Sequence, residues 1–307
     1  LLSGDSMQMV RNGIRARMTL LDNAEITMEA NPGTVESSKF HAFQRAGINR
    51  ISIGVQSFND DKLKRLGRIH DKAEAINAAH LAHSLNLRSF NLDLMHGLPA
   101  QSLEEALSDL RQAIELAPPH LSWYQLTIEP QTLFGSHPPK LPDDELLWDI
   151  YQQGDALLKH AGYQQYEISA YAKPGYQCQH NLNYWHFGDY IGIGCGAHGK
   201  LSFTNGEIIR RVKTKHPRGY MQGRYLNERR QVALSERPFE FFMNNFRLLE
   251  PIPRQRFTAY TGLAESSIRQ QLDEAITQNF ITETADTWQV TEHGKLFLNS
   301  LLELFLD

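Results

Sequence analysis

Apolar and polar positions in the first half of the chain follow two alternating spacings. Short runs with strand-like alternation, such as "EITMEA" and "RISIGV", are followed by segments whose apolar residues recur at helical intervals. The same order continues through "SFNLDLMHG", "SLEEALSDLRQAIELA" and "HLSWYQLT". Short strands that alternate with longer helices are typical of parallel β/α architecture. The sequence therefore predicts an α/β fold with a mostly parallel sheet.

The number of predicted strands is too small for a closed barrel. Four core strands precede residue 130, whereas a closed β/α barrel has about eight. "YQQYEISA" is predicted to add one more strand. The chain also begins with Leu1 rather than Met and runs at once into a helical pattern. We therefore expect a partial barrel whose first β/α units are missing.

The pattern changes character after residue 200. The segment 201–235 has weak periodicity and carries the basic run "IIRRVKTKHPRG", so we expect it to connect two domains. From 236 to 307 the pattern predicts two helices, a hairpin that turns at Ala285 and Asp286, and a final helix, an order that resembles a winged-helix module. The predicted domains are therefore a barrel domain at 1–200, the connecting segment, and this small tail domain.

Composition and charge exclude several classes of protein. The net charge is -4 and the tail is acidic, so we expect no nucleic-acid partner and interpret the tail as a packing or substrate-covering domain. No run approaches the roughly 18 apolar residues of a membrane span, although transient membrane association stays open. Two cysteines cannot form a disulfide framework, which favours the reducing cytoplasm.

Four polar residues lie at or just after the predicted strand ends, where ligands gather in parallel sheets. They are Glu29, Gln56, Arg68 and Asp93. Each alone is explained equally well as a cap of the following helix. As a set they offer two carboxylates, an amide and a guanidinium. Those groups suit a small zwitterion that carries a ribose, because carboxylates accept hydrogen bonds from ammonium and hydroxyl groups and arginine binds a carboxylate.

The stretch 176–199 combines side chains that bind iron with side chains that pack on flat apolar ligands. It holds three histidines and both cysteines of the chain, Cys178 and Cys195. On these residues alone, a structural role for His180, with Tyr184 and Trp185 in the core, is the favoured interpretation. "GIGCGAHG" predicts closely packed backbone, with Cys195 as a small buried hydrophobe.

Several motifs carry a resemblance to a known family. "EANPGT", "RISIGVQSF", "LGRIH", "NLDLMHGLP" and "HLSWYQLTIEP" resemble the radical S-adenosylmethionine family of oxygen-independent coproporphyrinogen oxidases and their relatives. "HNLNYW" narrows the resemblance to the HemW-type haem chaperones within that family. The resemblance covers essentially the whole chain. It implies a radical S-adenosylmethionine barrel with a small C-terminal domain.

The resemblance also implies roles for individual residues. Glu29, Gln56, Arg68 and Asp93 are expected to contact S-adenosylmethionine. His180, Tyr184 and Trp185 are expected to bind haem, with His180 as the candidate iron ligand. Cys178 is a weaker ligand candidate, and His186 and His198 are weaker still. Four cations could bind the haem propionates, although such a run of charge is usually just a solvated strand. They are Arg210, Arg211, Lys213 and Lys215.

One feature of the family does not occur in this sequence. Members carry a Cys-x-x-x-Cys-x-Tyr-Cys loop that ligates a [4Fe-4S] cluster, followed by a glycine-rich loop, and neither motif is present. Cys178 and Cys195 lie far downstream at an unrelated spacing. We therefore expect the intact protein to hold the cluster and this chain to lack its ligands.

Two functions follow from the resemblance. The first is a haem chaperone that binds haem and S-adenosylmethionine and delivers haem to haem-requiring proteins. The alternative is an oxygen-independent coproporphyrinogen III oxidase, which decarboxylates its substrate oxidatively to protoporphyrinogen IX. "HNLNYW" favours the chaperone, and the sequence leaves open whether the protein is an enzyme.

Overall fold

The computed structural model describes residues 3–34 and 36–306, so Leu1 lies outside the described residues. The chain divides into two compact units, Leu1–Gln177 and Cys178–Asp307. None of the described helices combines the length and the apolar composition that crossing a membrane requires.

The first unit contains the predicted alternation of strands and helices. In chain order its elements are α1 (Gly4–Arg15), β1 (Thr27–Ala30), α2 (Ser37–Arg45), β2 (Arg50–Gln56), α3 (Asp60–Arg65), α4 (Lys72–Ser84), β3 (Ser89–His96), α5 (Leu103–Glu115), β4 (His120–Gln125), α6 (Leu133–Ser136), α7 (Asp144–His160), β5 (Gln164–Glu167) and β6 (Ala170–Ala172).

The strands of this unit form one sheet in the order β1-β2-β3-β4-β6-β5. The first four are parallel neighbours, as predicted. Reciprocal capping boxes start α4 at Asp71 and Glu74 and α5 at Ser102 and Glu105, which satisfies backbone N–H groups that a helix start leaves without partners. Apolar side chains of β2 and β3 form one buried core with those of α4 and α5, and the predicted α/β fold with a mostly parallel sheet is confirmed.

The segment "YQQYEISA" differs from its prediction as a single strand. It forms a hairpin in which β5 and β6 pair antiparallel, and β6 also pairs antiparallel with β4. The physical reason is the short connection, because a parallel pair needs a crossover of a dozen or more residues and only Ile168 and Ser169 separate these strands. The parallel part of the sheet therefore ends at β4.

The second unit begins ahead of the boundary at residue 200 that the sequence predicts. Its elements are α8 (Gln179–Trp185), β7 (His198–Ser202), β8 (Ile208–Lys213), α9 (Pro217–Met221), β9 (Leu226–Gln231), α10 (Arg237–Asn245), β10 (Ile252–Pro253), α11 (Arg254–Thr261), α12 (Arg269–Thr277), β11 (Ile281–Glu283), β12 (Thr287–Val290), α13 (Glu292–Leu296) and α14 (Leu298–Glu303). The expected connecting segment 201–235 holds most of a three-stranded antiparallel sheet, β7-β8-β9. Its strands are difficult to predict because polar residues lie on both faces.

The tail has the elements of a winged-helix module. Helices α10, α11 and α12 pack with a three-stranded sheet in the order β10-β12-β11. β11 and β12 form the predicted hairpin. The core is aromatic, since Phe242 contacts Phe246, Phe257 and Trp288, with ring centroids 4.5, 5.8 and 5.7 Å apart. The expected final helix is divided into α13 and α14 at Phe297.

Candidate functional site

The four rim residues lie around one phenol. Burial and the charge of Asp93 raise the pKa of Tyr124 above its usual range, Arg68 and a hydrogen bond to Gln56 act in the opposite direction, and Glu29 adds to the increase. All four side chains are therefore within electrostatic reach of the Tyr124 hydroxyl. The pairing register explains part of the convergence, because Glu29, Gln56 and Asp93 lie on adjacent parallel strands, whereas Arg68 lies in the connection between α3 and α4.

Gln56 adopts an unusual backbone conformation. Its φ is +71°, in the left-handed region, and the pairing of β2 with β3 shifts register between Ile53 and Gln56. Such a conformation costs about 1–3 kcal/mol in a residue other than glycine and tends to occur at functional sites. The side chain is buried, and its Oε1 accepts a hydrogen bond from the Tyr124 hydroxyl at 2.9 Å. The strained end of β2 thus fixes the amide on the rim.

Asp93 is held by a polar network on the same face of the sheet. Its Oδ1 accepts from Asn91 Nδ2 at 2.8 Å, and its Oδ2 accepts from Ser52 Oγ at 3.1 Å. The Asn91 side-chain oxygen lies 2.6 Å from His120 Nδ1, and the other ring nitrogen of His120 lies 2.8 Å from the Tyr166 hydroxyl. Each carboxylate oxygen therefore has one protein donor and keeps capacity to accept from a ligand.

Glu29 and Arg68 are exposed on the rim. Neither side chain forms an ion pair or hydrogen bond with any other residue that the structure describes. Together with Gln56 and Asp93 they present carboxylate, guanidinium and amide groups to one space. This donor and acceptor set fits S-adenosylmethionine, whose amino acid and ribose need those partners.

Sequence reasoning missed Tyr124 and the network behind Asp93. One signal was available, because Asn91 and Asp93 are two residues apart in a strand and so must share a face. The contributions of His120 and Tyr166 depend on strand register and on the hairpin, which the alternation of apolar positions does not determine.

The helix α8 contains the "HNLNYW" motif and places its aromatic residues on a common surface. The ring centroids of His180 and Tyr184 are 6.2 Å apart, one helical turn from each other, and those of Tyr184 and Tyr190 are 4.7 Å apart. The guanidinium of Arg247 lies 4.3 Å from the centre of the Trp185 ring. Cys178 precedes the helix and is buried, with its Sγ 3.2 Å from His180 Nδ1.

Next to α8 is a cavity of about 620 Å³. Binding sites for small molecules usually measure about 300–1,000 Å³. Its apolar wall consists of Tyr184, Trp185, Phe187, Tyr190, Ile191, Ile193 and Met243. Ile191 and Ile193 are 55% and 64% exposed, so this part of the wall presents apolar area that a ligand could cover. Among the described residues, the histidine in this wall is His198, and His180 is not part of it.

Two cations border the cavity, and both have protein partners. Lys200 is buried and donates to Asp189 Oδ1 at 2.9 Å and to the Phe187 carbonyl at 3.0 Å. Arg210 donates to Glu240 at 2.8 Å and to the Tyr190 hydroxyl at 3.0 Å. Arg211 follows Arg210 directly in β8, where it pairs with Gly199. Because successive side chains of a strand point to opposite faces, Arg211 lies on the other face of the sheet. The predicted propionate set therefore divides, and Arg210 is its member at the cavity.

Cys195 and His186, from the same stretch, have surroundings of different kinds. Cys195 is exposed, so its prediction as a buried hydrophobe was wrong. It lies in a turn between Gly194 and Gly196, whose φ angles are +102° and +73°, and the turn carries the thiol outwards. His186 donates to Glu250 at 2.6 Å and holds the pKa of that carboxyl below its usual range, which gives it a structural partner.

The residues of this chain do not fit an iron–sulfur cluster. Three or four thiolates must converge on such a cluster, and the sequence contains two cysteines. One of them is buried and the other exposed. The cluster that the family implies therefore has no ligand set within these residues.

Comparisons with known proteins agree with the resemblance. Residues 2–112 match the Radical SAM superfamily, and residues 232–297 match the HemN C-terminal domain. The chain is 73% identical over 306 residues to the heme chaperone HemW of Escherichia coli K12, covering all of this chain and 81% of that protein. It is 65% identical to heme chaperone HemW of Haemophilus influenzae, again over the whole chain and 80% of the relative.

A solved structure shows the same fold. Coproporphyrinogen III oxidase (HemN) from Escherichia coli, described as a radical SAM enzyme, superposes with a TM-score of 0.80 at 20% identity, covering 99% of this chain and 74% of that one. This likeness supports the architecture, since similarity at that level of identity is evidence of fold alone. Because the chain is 73% and 65% identical to these two relatives along its whole length, it belongs to the HemW family of radical S-adenosylmethionine proteins.

Proposed function

We propose that this protein is a haem chaperone, which binds haem beside α8 and S-adenosylmethionine on the rim of the barrel and passes haem to haem-requiring proteins. The cavity next to the "HNLNYW" motif is the observation that carries this proposal. Its aromatic and branched walls suit a flat apolar macrocycle, and the imidazole of His198 in the wall and that of His180 on α8 are both groups that bind iron. The two relatives with 73% and 65% identity are both named haem chaperones.

The haem residues that we propose are His180, Tyr184 and Trp185. Tyr184 and Trp185 supply apolar wall, and His180 is the proposed iron ligand from the same helix. Cys178, close to the His180 ring, is a second ligand candidate. His198 is a third, because it is the histidine of the described cavity wall. A propionate reaching Arg210 would compete with Glu240 for the guanidinium.

The rim residues are the proposed site of S-adenosylmethionine. Asp93 and Glu29 suit its hydroxyl and ammonium groups, Arg68 suits its carboxylate, and Gln56 can donate through its amide. The family also implies a [4Fe-4S] cluster, whose ligands must come from outside these residues. We further propose a cytoplasmic location, and a tail module at 236–307 that packs or covers the ligand.

Haem titration of the protein tests the proposal. The wild-type chain is expected to bind one haem with a Soret band typical of axial ligation. His180→Ala should shift that band and raise the dissociation constant, whereas Trp185→Ala should weaken binding with little change in the spectrum, because it removes apolar contact rather than a ligand. His160→Ala, at an exposed histidine of the first unit, is the matched control.

The outcomes separate the candidates. A native circular dichroism spectrum with an unchanged Soret band in His180→Ala would transfer the ligand role to His198 or Cys178, which the corresponding alanine variants resolve. Haem binding that is unaffected by Tyr184→Ala and Trp185→Ala would overturn the cavity as the haem site. Haem delivery is then measured as transfer from the loaded protein to apomyoglobin.

The alternative function, coproporphyrinogen III oxidase, rests on the fold shared with HemN and on the match of residues 232–297 to the HemN C-terminal domain. Its test is incubation of coproporphyrinogen and S-adenosylmethionine with a protein that also carries the cluster-binding segment. Release of carbon dioxide with formation of protoporphyrinogen IX would establish the oxidase.

A further inference from the structure

The strands β8 and β9 place arginines directly opposite each other at two successive positions. Arg210 pairs with Arg230, and Arg211 pairs with Arg229. Like charges directly opposite in a sheet are destabilising. Because successive residues point to opposite faces, the two pairs lie on different sides of the sheet. The strand register therefore places a concentration of positive charge on each face of the sheet.

One of these pairs is neutralised by helix α10 and the residue before it. Arg210 forms an ion pair with Glu240 at 2.8 Å, and Arg230 forms ion pairs with Glu236 at 2.5 Å and Glu240 at 3.3 Å. The other pair has no such partners within the described part of the chain. The Arg211 Nε is buried without a hydrogen-bond partner there. The second face of the hairpin thus carries positive charge that its own unit does not compensate.

The connection between the two strands exposes large apolar side chains among further cations. Met221, Tyr225 and Leu226 are 82%, 54% and 51% exposed. Lys215 and Arg218 are also exposed, as is every residue from 221 to 229. Tyr220 and Tyr225 contact each other with ring centroids 5.0 Å apart. Apolar area and positive charge therefore occur together at one end of the hairpin.

We call residues 211–229 the basic hairpin. Its cations are Arg211, Lys213, Lys215, Arg218, Arg224 and Arg229, against the single carboxylate of Glu228. The whole chain, in contrast, has a net charge of -4. None of the six cations forms an ion pair with another residue that the structure describes. The positive charge is therefore concentrated in the basic hairpin, because one carboxylate accompanies six cations there.

We propose that the basic hairpin docks the protein on an anionic lipid surface. Lysine and arginine near such a surface contribute about 1 kcal/mol each. Tyrosine is enriched at membrane interfaces, and long basic side chains lay their stems along apolar surface while the charge stays in water. Exposed Met221 and Leu226 favour a membrane over a nucleic acid or an acidic protein, because the acyl boundary takes up apolar side chains together with the charge contacts. This inference holds independently of haem binding.

Co-sedimentation with lipid vesicles tests the proposal. The wild-type protein is expected to bind vesicles of equimolar phosphatidylglycerol and phosphatidylcholine and not to bind vesicles of phosphatidylcholine alone. It should dissociate from the anionic vesicles as the salt concentration rises. The triple variant Lys215→Glu, Arg218→Glu, Arg224→Glu should lose about 100-fold or more in partition. The matched control replaces Lys39, Arg45 and Lys64, exposed cations of the first unit, with Glu and should bind like the wild type.

A second variant separates lipid from other anionic partners. Met221→Ser with Leu226→Ser keeps every charge and should reduce vesicle partition about tenfold through lost apolar contact. Met9→Ser, at a residue 74% exposed in α1, is its control. Circular dichroism verifies the fold of each variant.

Three results would overturn the proposal. The first is wild-type binding that fails on anionic vesicles at low salt. The second is a triple basic-hairpin variant that partitions like its control. The third is binding to polyglutamate or duplex DNA that matches binding to vesicles while Met221→Ser with Leu226→Ser has no effect, because that pattern identifies an acidic macromolecule.

Discussion

At the scale of single residues, Asp93 is the rim group whose surroundings most clearly prepare it for a ligand. Ser52 and Asn91 each donate one hydrogen bond to its carboxylate. Such fixed donors hold the group in one orientation before a ligand arrives, which reduces the entropy that binding must overcome. The same network reaches His120 through Asn91.

Asp93→Ala is expected to weaken S-adenosylmethionine binding by about 1.5–3 kcal/mol, the contribution of a hydrogen bond to a charged group. The measurement is titration calorimetry in a protein that also carries the cluster-binding segment that the resemblance predicts. Asp61→Ala, at an exposed carboxylate of α3, is the control. Unchanged affinity in a folded Asp93→Ala protein would remove this residue from the site.

Asp109 anchors the residues that follow Gln56. Its Oδ2 accepts from Ser57 Oγ at 2.6 Å, and its Oδ1 accepts from the Phe58 backbone N–H at 2.8 Å. Burial raises the pKa of Asp109 from 3.8 to about 6. The folded protein therefore binds this proton more tightly than the unfolded chain does, so protonation below pH about 6 stabilises the fold.

We expect the wild-type protein to gain about 2 kcal/mol in free energy of unfolding relative to Asp109→Asn as pH falls from about 7 to about 4. The stabilisation is present at low pH and is lost as pH rises through the folded pKa. Urea unfolding of both proteins at the two pH values measures it. A difference between them that does not change with pH would contradict this assignment.

At the scale of elements, the contact between α7 and β4 depends on a glycine inside a helix. A Cβ atom at Gly154 would collide with the ring of the buried Trp123. Glycine in a helix interior costs about 1 kcal/mol relative to alanine. The packing energy gained by the close approach of α7 to β4 therefore exceeds the cost of glycine in the helix at this position.

Gly154→Ala is expected to destabilise the protein by about 1–3 kcal/mol, because overpacking exceeds the gain in propensity. Gly13→Ala in α1 is the matched control, since the nearest atom to its added Cβ is the flexible end of Arg17 at 3.9 Å. That substitution should stabilise by up to about 1 kcal/mol. Thermal unfolding of the two variants gives opposite shifts if the contact is as described.

Elements were predictable where a pattern is local. Alternating strands and helices, the capping box at Ser102 and the hairpin of the tail follow from spacing and turn chemistry. The β5–β6 hairpin and the β7-β8-β9 sheet did not follow, because pairing partners and polar strands depend on tertiary contacts. The positions of Glu29, Gln56 and Asp93 were predictable from the strands, whereas Arg68 lies between two helices and Tyr124 required the register of β4 against β3.

At the scale of the whole molecule, the chain combines a first unit that has a polar rim at its parallel sheet with a second unit that has an aromatic cavity. We expect the chain, reconstituted with iron and sulfide, to take up no stable [4Fe-4S] cluster, because two cysteines cannot supply three converging thiolates. Absorbance of a stoichiometric cluster that disappears in Cys178→Ser would contradict this expectation.

The contrast between the two thiols has a practical consequence. Cys195 is exposed and Cys178 is buried, so a maleimide dye should label the native protein at one position. The neighbours of that position in the turn, Ile193 and Ala197, belong to the cavity wall. A porphyrin that enters the cavity should quench a dye at Cys195 by energy transfer. Loading and release of the ligand then become a fluorescence signal in real time, without any substitution in the cavity itself.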